Sequence, residues 1–272
     1  MASVGRVNPA QPDDVTTRAS EPPDAVLRYA GHDDGLVDVH LPAGATEARR
    51  LVFFVHGGFW RQEWDRRHAR PLANALAEAG YVVAVPEYRR VGGAGGWPAT
   101  AQDVEAALAA TPTLLAGMGI PTTTPTLVGH SAGGHLVLWL ANQPGHLVDK
   151  VVALAPVGNL RQAAEDGIGS RAAVDLLGGP PEQVPEAYAA ADPASRMRSR
   201  PPCPVVIVHG DQDDSVPVES SRGLKARFDW LDYRELAGVD HFAVIDPLSD
   251  AWPAVRDAVR TPPGTAGAPS DG

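Results

Sequence analysis

The amino-acid sequence predicts an α/β fold in which a mostly parallel central sheet has helices on both faces. Short apolar runs rich in β-branched and aromatic residues are typical of strands covered on both sides, and they occur at residues 51–55, 81–85, 126–128, 151–154 and 205–208. Segments with helical patterns separate these runs, at residues 66–79, 99–110, 132–142, 220–228 and 247–259. Strands that alternate with helices along a chain build a mainly parallel sheet.

Three further segments complete the predicted domain. Residues 33–42 are expected to add an antiparallel edge strand, and residues 232–236 to form the last strand. Residues 159–200 are rich in Ala, Gly and Pro and contain no clean strand, so we expect helical excursions that form a small cap-like region over one end of the sheet. We assign this region to a single domain spanning residues 25–260, because the strand pattern resumes at Pro202.

The two ends of the chain, residues 1–24 and 261–272, are rich in proline and small polar residues. Both lack the apolar area that would offset the entropy of ordering them, so we predict disordered tails. The amino-terminal segment has no basic stretch followed by an apolar one, the pattern of a secretory signal. We therefore expect a cytoplasmic protein.

Composition excludes several classes of partner. The chain carries 33 acidic and 23 basic residues, a net charge of −10, which gives it no general attraction for nucleic acids or anionic membranes. It has no apolar run near the roughly 20 residues that span a bilayer. Cys203 is the single cysteine, and the H-E-x-x-H pattern is absent, so we predict no disulfide, no metal site and no cofactor. The sequence leaves the oligomeric state open.

The strongest local signal is the segment Gly129-His-Ser131-Ala-Gly133, which has the pattern G-x-S-x-G. It lies between an apolar strand ending at Val128 and an apolar helix beginning at Ala132. In a nucleophile elbow the serine occupies a tight, strained strand-to-helix turn, and the flanking glycines let neighbouring backbone pass close by. The pattern predicts Ser131 as a nucleophile.

A second signal is the segment His56-Gly57-Gly58-Phe59, directly after the strand that ends at Val55. Glycines after a strand allow backbone N–H groups to point into a cleft, where they can hold a developing oxyanion. We expect these donors to be the N–H groups of Gly58 and Phe59, together with that of Ala132. We interpret His56 as a hydrogen-bonded organiser of this loop rather than as a base.

The carboxylate that orients a catalytic histidine has three candidates, because Asp211, Asp213 and Asp214 all follow the strand at residues 205–208. The spacing H-G-x-x-D-x-x-V-P favours Asp213, and the other two aspartates suit an Asx-rich turn. His241 follows the last strand and is the one histidine beyond Asp213, so we predict it as the base.

The order Ser131, Asp213, His241 is the order of α/β-hydrolases. The chain resembles the esterases and lipases of that superfamily from about Val26 to Val259. This resemblance implies an α/β-hydrolase fold, a Ser-His-Asp triad of these three residues, and a covalent acyl-enzyme intermediate.

Within that group, the segment His56-Gly-Gly-Phe-Trp60 resembles the HGGxW signature of kynurenine formamidases (arylformamidases). The stretches Asp192-Pro-Ala-Ser195 and 201–205 are similar to small carboxylesterases, including acetyl-xylan and feruloyl types. The family also carries a Tyr-Arg pair that Tyr88-Arg89 matches. The resemblance implies hydrolysis of a small carboxylic ester or of an aryl formamide.

Four aromatic residues follow the strands that lead into the predicted site, and we expect Trp60, Tyr88 and Trp97, besides Phe59, to bind a flat substrate group by stacking. The alternative is that these rings pack the loops onto the domain. The short basic pairs 66–67 and 89–90 are predicted to be solvated.

Two alternatives to an arylformamidase-like esterase stay open. One is a general carboxylesterase of acetyl or feruloyl type. The other is a non-catalytic protein that uses the same fold to bind a ligand.

Overall fold

The computed structural model describes residues 14–44 and 49–260. Its centre is an eight-stranded sheet with the spatial order β1-β2-β4-β3-β5-β6-β7-β8. The strands are β1 (Ala25–Arg28), β2 (Leu36–His40), β3 (Leu51–Val55), β4 (Val82–Pro86), β5 (Thr126–His130), β6 (Lys150–Leu154), β7 (Val205–Gly210) and β8 (Asp232–Leu236). The strands from β4 to β8 in this order are parallel, whereas β2 pairs with both β1 and β4 in antiparallel fashion. The predicted mostly parallel α/β sheet is confirmed.

Helices cover both faces of the sheet. They are α1 (Arg70–Glu78), α2 (Ala99–Gly117), α3 (Ala132–Leu140), α4 (Leu160–Glu165), α5 (Ile168–Leu177), α6 (Pro185–Ala191), α7 (Pro193–Arg196), α8 (Glu219–Arg227) and α9 (Trp252–Arg260). A 3₁₀ turn at Arg66–Ala69 leads into α1. Side chains alternate across β3, so that Phe53 belongs to one core cluster and Phe54 to the other.

The strand predicted at the edge of the sheet is instead the second strand from that edge. The segment 33–42 does contain the antiparallel strand β2, but β1 pairs with its free side and forms the edge. β1 has only four residues, and they are intermediate or exposed, so its apolar signal is weak.

Residues 14–24, within the segment that we predicted as a tail, are described by the structure and include contacts with the folded domain. Val15 is buried in one of the two core clusters, and the guanidinium of Arg18 forms two hydrogen bonds of 2.6 and 2.8 Å with the carboxylate of Asp246. Local composition could not reveal these contacts, because the partner lies more than 200 residues away. Residues 1–13 and 261–272 of the predicted tails lie outside the described residues.

Helix α2 is longer than the pattern predicts, since it continues past Pro112 to Gly117. Proline weakens a helix by removing one donor, and this is the reason to expect an end near residue 110. Leu115, beyond the proline, is completely buried. Burial of this side chain favours continuing the helix.

The excursion at residues 159–200 forms the four short helices α4 to α7. It packs against the loop after β3, where the guanidinium of Arg61 donates to the carbonyl oxygen of Ser170 and to Asp175. It also packs on α3, because the indole of Trp139 donates to the carbonyl oxygen of Ala190. Part of the cap-like region therefore contacts a loop at the carboxyl end of the parallel strands.

No helix in residues 14–44 and 49–260 combines the length and the apolar character needed to cross a bilayer.

Candidate active site

Ser131 occupies the turn between β5 and α3, with backbone angles φ 54° and ψ −115°. A residue other than glycine rarely adopts a positive φ, and such strain is characteristic of a nucleophile elbow. The N–H of Ser131 donates to the carbonyl oxygen of Leu154, which ties the turn to the neighbouring strand β6. The side chain is thereby presented at the carboxyl end of the sheet.

The two glycines of the elbow are required by close backbone packing. A Cβ at Gly129 would overlap the backbone of Gly133, and a Cβ at Gly133 would overlap the carbonyl oxygen of Val55. The turn can be this tight only because both positions lack a side chain.

Asp213 and His241 lie in the loops after β7 and β8, which follow β5 and β6 in the order of the sheet. Asp213 follows β7 and His241 follows β8, and the Nδ1–H of His241 donates to Asp213 Oδ2 over 2.6 Å. Burial raises the pKa of the Asp213 carboxyl, but hydrogen bonds from His209 and His241 outweigh this effect and hold the pKa well below its usual range. The carboxyl is therefore an anion that orients the imidazole.

The other two aspartates of this loop face away from His241. Asp211 accepts from the backbone N–H of Gly238 over 2.7 Å, and Asp214 accepts from the hydroxyl of Ser215 over 3.2 Å. Of the three carboxylates, Asp213 is the one that reaches the histidine.

A cavity of about 30 Å³ brings the predicted groups together. Its lining consists of Gly58, Phe59, Trp64, His68, His130, Ser131, His241 and Phe242. These residues come from the loops after β3, β5 and β8, whose carboxyl ends meet at the same edge of the sheet. The volume is enough for about two water molecules.

Three backbone N–H groups near Ser131 are available as donors. Those of Gly58, Phe59 and Ala132 donate no hydrogen bond within residues 14–44 and 49–260. Gly58 and Phe59 have positive φ values of 106° and 51°, and both line the cavity, while Ala132 directly follows the serine. Donors in this arrangement can hold negative charge on a carbonyl oxygen of a substrate.

His130 holds the loop that carries His241. Its Nε2–H donates to the carbonyl oxygen of His241 over 2.9 Å, and the two rings lie 4.6 Å apart. Burial, and then the charge of the neighbouring His241, hold the pKa of His130 well below its usual range. A neutral His130 therefore supports His241 without adding a second charge beside it.

His56 anchors the loop that contains Gly58 and Phe59. Its Nδ1 lies 2.8 Å from the carbonyl oxygen of Gly57, and its Nε2 lies 2.9 Å from Glu87 Oε1. Both ring nitrogens face acceptors, so that the imidazole is held at both ends. The ring of Tyr88 stacks on His56 at 4.4 Å, and its hydroxyl donates to the His56 carbonyl oxygen.

Glu87 is the centre of this buried polar network. Besides His56, its carboxylate accepts from the backbone N–H of Arg66 over 3.0 Å and from the guanidinium of Arg90. Burial raises the pKa of Glu87, but the charges and hydrogen bonds of these partners lower it to about 2. The Glu87 carboxylate is therefore a buried anion that holds the loop containing Gly58 and Phe59 through His56.

The BD-FAE family profile matches residues 37–228, which is most of the chain and includes Ser131 and Asp213. The chain belongs to the BD-FAE family.

Curated proteins similar to this BD-FAE chain include esterase LipQ of Mycobacterium tuberculosis, with 29% identity over 220 residues. That match covers 72% of this chain and 50% of LipQ. The chain spans about half the length of the curated relatives that it matches.

The fold is shared with solved esterase structures. A truncated form of a carbohydrate esterase from gut microbiota has a TM-score of 0.75 with 21% identity, over 90% of this chain and 96% of that one. At this identity the likeness shows the fold, and the α/β-hydrolase fold predicted from the motifs is confirmed.

The predicted likeness to kynurenine formamidases is limited in extent. Kynurenine formamidase of Drosophila melanogaster is 42% identical, but over 62 residues, which cover 23% of this chain and 20% of the enzyme. The esterase relatives match a far larger part of the BD-FAE chain. The likeness to a kynurenine formamidase therefore extends over less than a quarter of this chain.

Of the four aromatic side chains predicted to bind substrate, Phe59 lines the cavity beside Ser131, whereas Trp60, Tyr88 and Trp97 do not. Trp60 and Tyr88 are almost completely buried, and Trp60 packs edge-on against His135. Trp97 packs against Trp139, with ring centroids 5.4 Å apart. The alternative that these rings pack the loops onto the domain fits this structure, because in each case the core behind the loop accepts the ring.

Trp64, His68 and Phe242 line the cavity instead, and the sequence analysis missed all three. Trp64 and His68 lie a few residues beyond the glycine loop, and Phe242 directly follows the predicted base. Burial, and then the charge of His56, lower the pKa of His68 to about 4, so that a neutral ring faces the cavity. In the sequence, the one signal that could have identified these three residues is their position close to the glycine loop or to the predicted base.

The basic pairs 66–67 and 89–90 are only partly solvated, which corrects the prediction. Arg67 is exposed, but the side chain of Arg90 is 3% exposed and pairs with Glu87 and Asp34. A pattern of basic residues cannot reveal an acidic partner contributed by a distant segment.

Within the described ranges of this BD-FAE chain, no three His, Cys, Asp or Glu side chains are grouped so that they could hold a metal ion.

Proposed function

We propose that this protein is a carboxylic ester hydrolase in which Ser131 is the nucleophile, His241 the base and Asp213 the residue that orients it. The observation that carries the proposal is the strained Ser131, which faces a cavity that it shares with His241, whose Nδ1 lies 2.6 Å from the buried Asp213. Strain of this kind is retained where a reactive side chain has to be presented. The esterase names of the relatives support the same reaction class.

Acylation begins when the Ser131 hydroxyl attacks the carbonyl carbon of the ester. His241 Nε2 takes the hydroxyl proton, and the Asp213 anion stabilises the imidazolium that forms. His241 then gives this proton to the departing alcohol oxygen. The products of this half-reaction are the free alcohol and a covalent acyl-Ser131.

The carbonyl oxygen becomes negative in the tetrahedral intermediate. The N–H groups of Gly58, Phe59 and Ala132 are available to hold this charge, and loss of one such donor typically costs about 10²–10³ in kcat. Water, deprotonated by His241, then releases the acid and restores Ser131.

The size of the cavity supports a short acyl group. A volume of about 30 Å³ has room for a methyl group, and Phe59, Trp64 and Phe242 are among the side chains that line it. The methyl of an acetyl group fits this space, whereas a feruloyl group needs a much larger one. We propose a small-molecule acetyl-type ester as the substrate.

An aryl formamide is the second candidate. Formyl is the smallest acyl group, so it also suits the narrow cavity, and the segment 56–60 has the HGGxW pattern. Aromatic walls would favour a flat leaving group.

We expect a fluorophosphonate probe to label the purified protein with a stoichiometry near one, and mass spectrometry of the digest to place the adduct on Ser131. The reason is that only an activated serine hydroxyl reacts readily with such a probe. Denatured protein is the control and should remain unlabelled. No labelling, together with no release of p-nitrophenol from p-nitrophenyl acetate, would favour the non-catalytic ligand-binding alternative.

The substrate proposal predicts that p-nitrophenyl acetate is hydrolysed with a kcat/KM at least about tenfold above that of the butyrate ester, a difference of about 1.4 kcal/mol in the barrier. Phe242→Ala should narrow this gap, because it removes a wall of the cavity. Measuring kcat/KM for N-formylkynurenine and methyl ferulate as well distinguishes between the proposed substrate classes. If N-formylkynurenine is about tenfold better than the acetate, the formamidase candidate replaces the esterase, and preference for butyrate or ferulate contradicts the short acyl group.

A further inference from the structure

The carboxylate of Asp213 accepts four hydrogen bonds, and only one of them comes from His241. Oδ1 accepts from the backbone N–H groups of Ser215 and Val216, over 2.9 and 2.7 Å. Oδ2 accepts from His241 Nδ1 over 2.6 Å and from His209 Nε2 over 3.0 Å. His209 is therefore hydrogen-bonded to the same carboxylate oxygen, Oδ2, as His241.

His209 is rigidly held near the end of β7. Its side chain is completely buried, and its Nε2 also lies 3.0 Å from the carbonyl oxygen of Val216. Both neighbours of Nε2 are acceptors, so this nitrogen carries a proton.

The other ring nitrogen of His209 is 2.7 Å from the hydroxyl of Ser221, a fully buried serine on α8. A hydroxyl can donate to an unprotonated Nδ1, and this bond selects the tautomer with the proton on Nε2. Ser221 thus sets His209 as a donor toward Asp213.

We propose that His209 is a positioning residue, which fixes the plane of the Asp213 carboxylate so that Oδ2 meets His241 Nδ1. The proposal rests on the function proposed above for Ser131, His241 and Asp213.

The physical argument concerns rotation of the carboxylate. The N–H groups of Ser215 and Val216 hold one oxygen, but a carboxylate bonded through one oxygen can still turn about it. A donor on the second oxygen removes this freedom. His209 is suited to the task because it lies on β7, a strand that is paired on both sides, whereas Asp213 lies in the loop that follows that strand.

The kinetic test compares His209→Leu with His209→Gln. The leucine variant has no donor and should lower kcat for p-nitrophenyl acetate about 30-fold while KM changes less than about twofold, because misplacement of a catalytic group by about 1 Å costs up to about 10² in rate. The glutamine variant keeps an N–H near the position of Nε2 and should recover activity to within about threefold of wild type. His40→Gln is the matched control, since His40 is a buried histidine on β2 that bonds to Asn74 outside the site.

A double-mutant cycle with Asp213→Asn separates positioning from a general effect on folding. Asp213→Asn should cost about 10⁴ in kcat. Because His209 acts through Asp213, adding His209→Leu should lower the rate by less than about threefold more. The proposal would be overturned if the double variant were slower by the product of the two single effects. It would also be overturned if His209→Gln were as slow as His209→Leu.

Histidine-selective ¹⁵N NMR tests the geometry without any substrate. We expect the His209 imidazole to carry a proton on Nε2 and none on Nδ1, and its signal is identified because it is missing in His209→Gln. Protonation on Nδ1 instead would overturn the inference even in an active enzyme. If wild-type protein shows no Ser131-dependent hydrolysis, the proposed function fails, and this spectrum still decides whether His209 donates to Asp213.

Discussion

Ser131→Ala is expected to lower kcat for p-nitrophenyl acetate by at least about 10⁴-fold and to leave KM nearly unchanged. The hydroxyl oxygen forms the new bond in acylation, and the remaining groups of a triad cannot replace it. The fold should be retained, because alanine fills the same turn and the backbone bond from residue 131 to Leu154 needs no side chain. Initial rates and the melting temperature of both proteins give the measurement.

Ser195→Ala is the control for this experiment. Ser195 lies on α7 and its hydroxyl is 3.4 Å from Asp192, outside the residues that line the cavity. Removal of the Ser195 hydroxyl should change kcat by less than about twofold, since a substitution away from the reacting groups typically has a small effect. A Ser131→Ala protein that retains full activity would contradict the whole mechanism.

Glu87→Gln is expected to lower the free energy of unfolding by about 3–5 kcal/mol. The substitution keeps the shape of the side chain but removes the anion, so that buried His56 loses its carboxylate partner and Arg66 and Arg90 each lose one of their two carboxylate partners. Loss of one partner from a buried charge pair typically has an effect of this size. Urea unfolding at pH 7 measures it.

The same group predicts a pH dependence of stability. The pKa of Glu87 is lowered from 4.5 to about 2 in the folded protein. A carboxyl with a lowered folded pKa contributes stability that is fully present above the unfolded value and is lost as the pH falls through the folded value. The wild type should therefore lose about 2.5 kcal/mol more than Glu87→Gln between pH 4.5 and 2.

Glu105→Gln provides the matched control, because Glu105 also pairs with a histidine, His146 Nε2 at 3.1 Å, but on the surface. Solvent screens this pair, so we expect a change below about 1 kcal/mol. Equal losses in the two variants would show that burial of the Glu87 network has no special role.

Strand and helix positions could be predicted from the sequence because each depends on residues close together in the chain. The run at residues 51–55 is apolar on both sides, and in the structure β3 contributes Phe53 and Phe54 to opposite cores. The edge strand β1 escaped this reasoning, because an edge strand needs few apolar residues.

The identity and order of the candidate catalytic residues were likewise readable from motifs. The elbow at Ser131 is a local backbone feature, for which the sequence pattern specifies glycines where the chain passes close. Parallel strands then dictate that residues following β5, β7 and β8 meet at one edge.

Only the tertiary structure decided which aromatic rings face the cavity and how large that cavity is. Trp60 and Trp64 lie four residues apart in one loop, yet the first is buried in the core and the second lines the site. Side-chain direction in an irregular loop depends on the distant segments packed against it, and no periodic pattern records those segments. The same reason hid the contact between His209 and Asp213, although both stood in one motif, because hydrogen bonding depends on how the loop folds back on its strand.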